Sequence, residues 1–238
     1  MKHVVYFLIF FFFSFVSTAE PISQAHLPPS FIASYDLIKN GLPVAETQYR
    51  FEKTDNSADF SSTTELTGIA AWFSEDKASE RSLLEITEKQ IQVKHFQYQQ
   101  SGKEELTIKS QFDQTSQQVT TRINQHAEVI TSFTSPTWDK LSMLLALVSH
   151  ASVSETSLEI DTLDKTEIRQ YLVTHTGEQE IELDEDNWVK TMRWQRVNKN
   201  RKTVFYLDPA QHFIPVKIEQ YKRDKRRATL LLKEIQWL

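Results

Sequence analysis

The 238-residue chain contains no cysteine and only four glycines. Without cysteine no disulfide braces the fold, and thiol catalysis and cysteine-ligated metal sites are excluded. So few glycines leave little scope for a loop that cradles phosphate by close backbone approach. The Gly-x-Ser-x-Gly, His-Glu-x-x-His, Walker and Gly-x-Gly-x-x-Gly patterns are missing as well. The seven histidines are scattered: His3 and His26 lie near the N-terminus, and His95, His126, His150, His175 and His212 stand singly. A triad assembled from distant residues stays open in principle, but nothing visible activates a nucleophile. The reading is a non-enzyme with no cofactor and no metal.

There is one long apolar run. Met1-Lys2-His3 precedes Val4 to Val16, and Ser17-Thr18-Ala19 follows. A spanning helix needs about 20 apolar residues, so the run reads as a signal peptide over 1–19, cleaved after Ala19, that delivers the chain to the periplasm. An uncleaved anchor is the alternative. Residues 20–30, polar and proline-containing, read as a linker. Cleavage removes one lysine and moves the formal charge from −5 to −6, which argues against nucleic acid as a partner. About 220 residues remain, enough for a single β-rich domain over 31–238.

Short alternating segments separated by polar turns point to an antiparallel all-β protein. Phe31, Ala33, Tyr35 and Leu37 share one parity; Asn40-Gly41 marks a tight turn, and Ala45, Thr47, Tyr49 and Phe51 return. Further strands are predicted near 60–68, 80–87, 90–99, 104–113, 117–124 and 127–133, and again near 167–175, 180–183, 187–197, 202–207, 213–222 and 227–237. In one of them Ile91 and Val93 fall on one parity while Phe96 and Tyr98 fall on the other. A bulge near His95 would reconcile them; burial on both faces is the alternative.

Ser135-Pro136 resembles a cap followed by a first-turn proline, which predicts a helix over 136–149. Leu141, Met143, Leu144, Leu145, Ala146, Leu147 and Val148 surround it, so it must be enclosed. Trp138, Leu141, Met143, Leu145 and Val148, with Phe96, Tyr98 and Trp194, are the candidates for lining an apolar groove; the alternative is that the helix plugs a dry core. Residues 154–165, with Glu155, Glu159, Asp161 and Asp164, read as an acidic loop without the glycine of a calcium site. Two basic clusters fall at predicted hairpin turns: Lys199, Arg201 and Lys202, then Lys222, Arg223, Lys225, Arg226 and Arg227. If the hairpins project the same way, they form a cationic rim facing lipid head groups; solvated edge protection is the alternative.

Several segments carry a resemblance. Phe31-Ile32-Ala33-Ser34-Tyr35, Asn40-Gly41-Leu42-Pro43-Val44-Ala45, Tyr206-Leu207-Asp208-Pro209 and Phe213-Ile214-Pro215-Val216-Lys217-Ile218 are similar to the ends of the domain of unknown function 3108 family. Thr67-Gly68 to Phe73, Glu80-Arg81-Ser82 and Trp138-Asp139-Lys140-Leu141-Ser142 fit the same family. The resemblance implies an exported protein without an established activity. It also implies a large curved antiparallel sheet, an open or half-closed barrel, wrapped around one apolar helix, similar to lipoprotein carriers of the LolA and LolB type. Two functions follow as expectations. One is an envelope module that binds a lipid, acyl chain or hydrophobic peptide in a concave groove, with peripheral membrane contact. The other is a periplasmic interaction or assembly factor with an envelope protein partner and no small ligand.

Overall fold

The computed structural model describes residues 26–68, 71, 76–88, 90–134, 136–152 and 156–238. The signal peptide expected over 1–19, and Ser135 and Glu155 with it, lie outside the described residues. Among those described, no helix is long and apolar enough to cross a membrane.

Fifteen strands form one sheet. The first eight are β1 (Phe31–Lys39), β2 (Leu42–Lys53), β3 (Ser57–Leu66), β4 (Lys77–Ile86), β5 (Ile91–Ser101), β6 (Leu106–Asp113), β7 (Gln118–Ile123) and β8 (Val129–Ser132). After β9 (Thr137–Asp139) and helix α1 (Met143–Ala151) come β10 (Ser157–Asp164), β11 (Glu167–Asp184), β12 (Asn187–Asn198), β13 (Arg201–Asp208), β14 (Ile214–Lys222) and β15 (Lys225–Trp237). In space the order is β8 back through β1, then β15 back through β9. Every neighbour is antiparallel except β9 with β10. Thus β1 and β15, the two ends of the domain, zip the halves together, with Phe31 opposite Trp237 and Ile38 opposite Thr229.

The alternation of side chains dictates this arrangement. In β1 and β2 one parity, Phe31, Ala33, Tyr35, Ala45, Thr47 and Phe51, is buried. Asn40 and Gly41 both take positive φ, 51° and 83°, the conformation of a two-residue hairpin turn whose twist matches the strands. The phase break in β5 is a bulge: Val93 pairs with Leu84 and His95 with Leu83, so Lys94 is the extra residue. It returns Phe96 and Tyr98 to the same core as Ile91 and Val93.

The sheet curls strongly without closing into a barrel. Its edges overlap rather than pair. On β9, Asp139 accepts a 2.8 Å hydrogen bond from Ser82 Oγ on β4; from β8, Thr131 Oγ1 donates to the Thr166 carbonyl in the turn before β11, also at 2.8 Å. Helix α1 lies inside the curl and is buried on nearly every side. Trp194, fully buried between the rings of His150 and His175, closes the core beside it. A second, smaller core sits on the outer face. The long β11 breaks register between His175 and Glu178, and Ile181 there joins Val204, Tyr206 and Val216.

Three expectations need correction. The helix does not start at 136: Thr137–Asp139 is a strand and the helix runs Met143–Ala151. Asp139 closes the turn that leads into the helix, with Oδ1 accepting from Leu141 N (2.8 Å) and Ser142 N (2.9 Å) while Asp139 N donates to Ser142 Oγ (3.1 Å); Ser142, the residue before the helix, makes no side-chain cap bond. That reciprocal arrangement has the bonding pattern of a capping box, set in the turn just ahead of the helix. Residues 157–164 are a strand rather than an acidic loop, because Leu158, Ile160 and Leu163 are buried while Glu159 faces solvent. The presumed linker is packed over its last residues: Leu27 and Pro28 are buried, and Ser30 accepts from both Lys53 N and Leu238 N.

Candidate functional site: a basic hairpin end

The two basic clusters come together. Arg201 stands directly opposite Lys222, and Lys222 opposite Lys225. The two turns are tied by a backbone bond from Arg223 N to the Asn200 carbonyl, 2.8 Å. Like charges directly opposite on a sheet are destabilising, yet two such pairs are adjacent here. The turns themselves carry Lys199, Arg223 and Asp224 at positive φ, 53°, 51° and 58°, where asparagine or glycine would sit more easily. The sequence therefore keeps cation at a conformational and electrostatic cost. Over Lys199–Lys202 and Lys222–Arg227 there are eight basic residues and one acid, Asp224, in a chain of net charge −5.

The rim rests on Glu219. Its side chain is only 4% exposed and gathers the face beneath the turns. Tyr221 OH donates to it at 2.7 Å and Tyr206 OH at 3.0 Å, and Lys217 Nζ and Arg226 Nη1 approach to 3.0 and 3.1 Å. Burial alone would raise this carboxyl, but the hydrogen bonds from Tyr221 and Lys217, with the Lys217 charge, outweigh it and hold the group at about 2. Tyr221 in turn carries the Lys202 ammonium 4.5 Å above its ring. Burial and the Glu219 hydrogen bond push that phenol up to about 12. Of the eight rim candidates, then, Lys202 and Arg226 are anchored. Lys199, Arg201, Lys222, Arg223, Lys225 and Arg227 have no ion-pair partner among the described residues, and all six are exposed.

Because Glu219 titrates below its unfolded range, its stabilisation is present above about pH 4.5 and is lost as pH falls toward 2. Glu219→Gln is expected to lower stability at pH 7 by about 2 kcal/mol. The deficit should shrink steadily in denaturant melts taken down to pH 3. A deficit independent of pH would mean that lost packing, not charge, is responsible.

The groove candidates are core residues. Trp138, Leu141, Met143, Leu145, Val148, Phe96 and Trp194 are buried, and Tyr98 is half-buried against them. The cavity that touches Leu145 and Val148, bounded also by Tyr35, Tyr49 and Phe60, has a volume of about 10 Å³, about the space of one water molecule and far too small for an acyl chain.

At the seam lies a polar patch that hydrophobic periodicity does not announce. Asp139, fully buried, also accepts from Ser142 Oγ (2.7 Å), and its carboxyl is raised by burial despite the hydrogen bonds that oppose this. Half-buried Glu80 faces it from β4 with a long 3.4 Å contact from Ser62 Oγ. Burial first, then the Asp139 charge, lift Glu80 to about 7. Arg196 is a second charge turned inward. Its guanidinium lies 4.5 Å over Tyr171 and 3.3 Å from Met143 Sδ and from Thr203 Oγ1, and burial lowers its basicity.

Several of the segments that carried the family resemblance are joints of this architecture, while most of Thr67 to Phe73 lies outside the described residues. Ser82 of Glu80-Arg81-Ser82 meets Asp139 of Trp138-Asp139-Lys140 across 57 positions. Tyr35 OH donates to the Pro215 carbonyl at 2.8 Å, joining the opening strand to β14. Asp208 caps the 3₁₀ turn Pro209–Gln211 through Ala210 N. The family described as "Protein of unknown function (DUF3108)" matches residues 31–229, which contain all of these joints. The chain belongs to this family. The DUF3108 fold is also that of a solved protein: the crystal structure of a "Beta-barrel-like Protein of Domain of Unknown Function DUF1849" from Brucella abortus matches with a TM-score of 0.56 at 10% identity. The match covers 89% of this chain and 99% of that one. At that identity the likeness concerns fold alone. No curated protein matches the chain.

Proposed function

We propose that this DUF3108 protein is an exported, non-enzymatic module of the cell envelope that docks its basic hairpin end on anionic lipid head groups. The observation that carries the reading is the paired-turn rim: six exposed cations without an ion-pair partner among the described residues, held at one place, two cross-strand pairs of like charge among them, on a scaffold anchored by Glu219. Cations near an anionic membrane surface contribute about 1 kcal/mol each, so a cluster of this size gives reversible peripheral attachment. The signal-like N-terminus supports an envelope location. A packed interior favours contact through the surface over capture of an acyl chain between sheet and helix, since the cavity beside α1 is only about 10 Å³.

Vesicle co-sedimentation tests this. The protein should bind vesicles containing phosphatidylglycerol, lose binding at high salt, and ignore purely phosphatidylcholine vesicles. Replacing Lys222, Lys225 and Arg227 together with glutamine should weaken binding by roughly a hundredfold. Equal affinity for neutral vesicles, or no change in the triple variant, would overturn the reading.

A further inference from the structure

A second cationic feature lies on other strands. Between the bulge in β5 and the turn before β8, the outer face of β4–β7 hollows into an open depression of about 420 Å³. Bulges bend a strand and increase its twist, and the register slip at Lys94 falls beside His95 in the wall of this hollow. Across its floor the ladder places Arg81 opposite Gln97, Gln97 opposite Lys109, and Lys109 opposite Arg122. The row thus crosses four strands at about 4.8 Å each.

Arg81 is held by Asp59, through its Nε at 3.0 and 3.1 Å and also through Nη2. Arg122 is held by Glu128 at 2.7 Å. Lys109 has no such partner among the described residues, although a second cation stands directly opposite it, an arrangement that costs stability. The next row supplies His95, Gln111 and Thr120. Amide and hydroxyl groups both donate and accept, which suits hydroxyl-bearing ligands. Among the described residues the one aliphatic side chain lining the hollow is Leu83, and Phe96 beside it turns its ring into the core. An acyl chain finds too little apolar surface here.

We propose that this depression binds an acidic saccharide, with a carboxylate or phosphate of the ligand between Lys109 and Arg122 and its hydroxyls on Gln97, Gln111 and Thr120. The volume lies in the range of small-ligand sites. The site is independent of the lipid-docking rim, because it uses β4–β7 and the rim uses β12–β15.

The test is titration of the purified protein with trigalacturonate, followed by calorimetry and by backbone amide shifts in NMR. Maltotriose and inorganic phosphate serve as neutral and simple-anion probes. Trigalacturonate should shift the amides of Gln97, Lys109, Gln111 and Arg122. Lys109→Gln and Arg122→Gln should each weaken it roughly tenfold, while Lys222→Gln leaves it unchanged. Lys109 is exposed, so its removal should leave the fold intact. Four results would each overturn the proposal: no binding by about 10 mM, equal binding of maltotriose, inorganic phosphate binding as tightly as the trisaccharide, or full affinity in both variants. None of them bears on vesicle binding, so failure here and failure of the lipid reading are separable.

Discussion

Glu80→Gln is expected to stabilise the protein by about 3 kcal/mol at pH 8 and to do almost nothing at pH 4. The folded carboxyl titrates near 7, above its unfolded value of 4.5. Below about pH 4.5 both states are protonated and the side chain costs nothing. As pH rises from there toward 7 the unfolded chain ionises freely while the folded one is held back by burial and by Asp139. The full penalty is therefore reached only above 7. Glutamine keeps the size and an acceptor for Ser62 without the charge. The melting temperature should rise by about 6–10 °C at pH 8, measured by calorimetry alongside wild type at pH 4. An equal gain at both pH values would mean that the charge is not the cause.

Asp139→Ala should cost about 4 kcal/mol. The side chain accepts from the backbone N–H groups of Leu141 and Ser142, in the turn that leads into the helix, and from the hydroxyls of Ser82 and Ser142, and it is completely buried. Loss of the comparable side-chain bonds at a helix cap is worth about 1–2 kcal/mol; the rest comes from donors left without acceptors in the interior. A second readout separates charge from packing: with the neighbouring carboxylate gone, Glu80 should titrate at lower pH, visible in its side-chain NMR shifts. A loss under about 1 kcal/mol in chemical melts would show that the seam tolerates separation and that β9 is held mainly by its pairing with β10.

Both effects belong to one feature, the packing of the free edge strand β9 onto β4. Edge strands invite pairing with other chains, and here β9 is turned inward against β4 and tied by Asp139. The acid pair is thus a structural clasp with a pH-dependent cost. Burial shifts of this size also occur at catalytic sites, but Asp139 is engaged by the turn before the helix and by Ser82, which favours the structural role.

Much of the fold was legible because β-strand side chains alternate strictly. The parity of Phe31 to Leu37 and the Asn40-Gly41 turn led directly to the opening hairpin, and the parity switch after Val93 located a bulge to within one residue. The same rule would have found β10, where Leu158 and Ile160 alternate with Glu159 and Asp161. The acidic residues masked it, although they merely occupy the solvent face. The helix start was misplaced because Ser135-Pro136 reads as a cap, whereas Thr137–Asp139 pairs with β10 and the helix begins only at Met143. At the rim, charge runs were visible in the sequence, whereas Glu219 was not: a single glutamate in a strand looks like any outward polar residue until two tyrosines and two cations converge on it.

Local chemistry thus determined from the sequence alone where strands turn, which side chains face inward, that a wholly apolar helix must be enclosed, and where positive charge concentrates. These are properties of neighbours along the chain, set by backbone sterics and a period of two. Tertiary structure alone decided how far the sheet curls, that its edges overlap instead of pairing, and that α1 fills the space inside. It also set the titration of Glu80 and brought the two basic turns side by side. Those outcomes depend on twist and bulges summed over fifteen strands and on contacts such as Ser82 with Asp139, 57 positions apart, and no local pattern encodes such a sum.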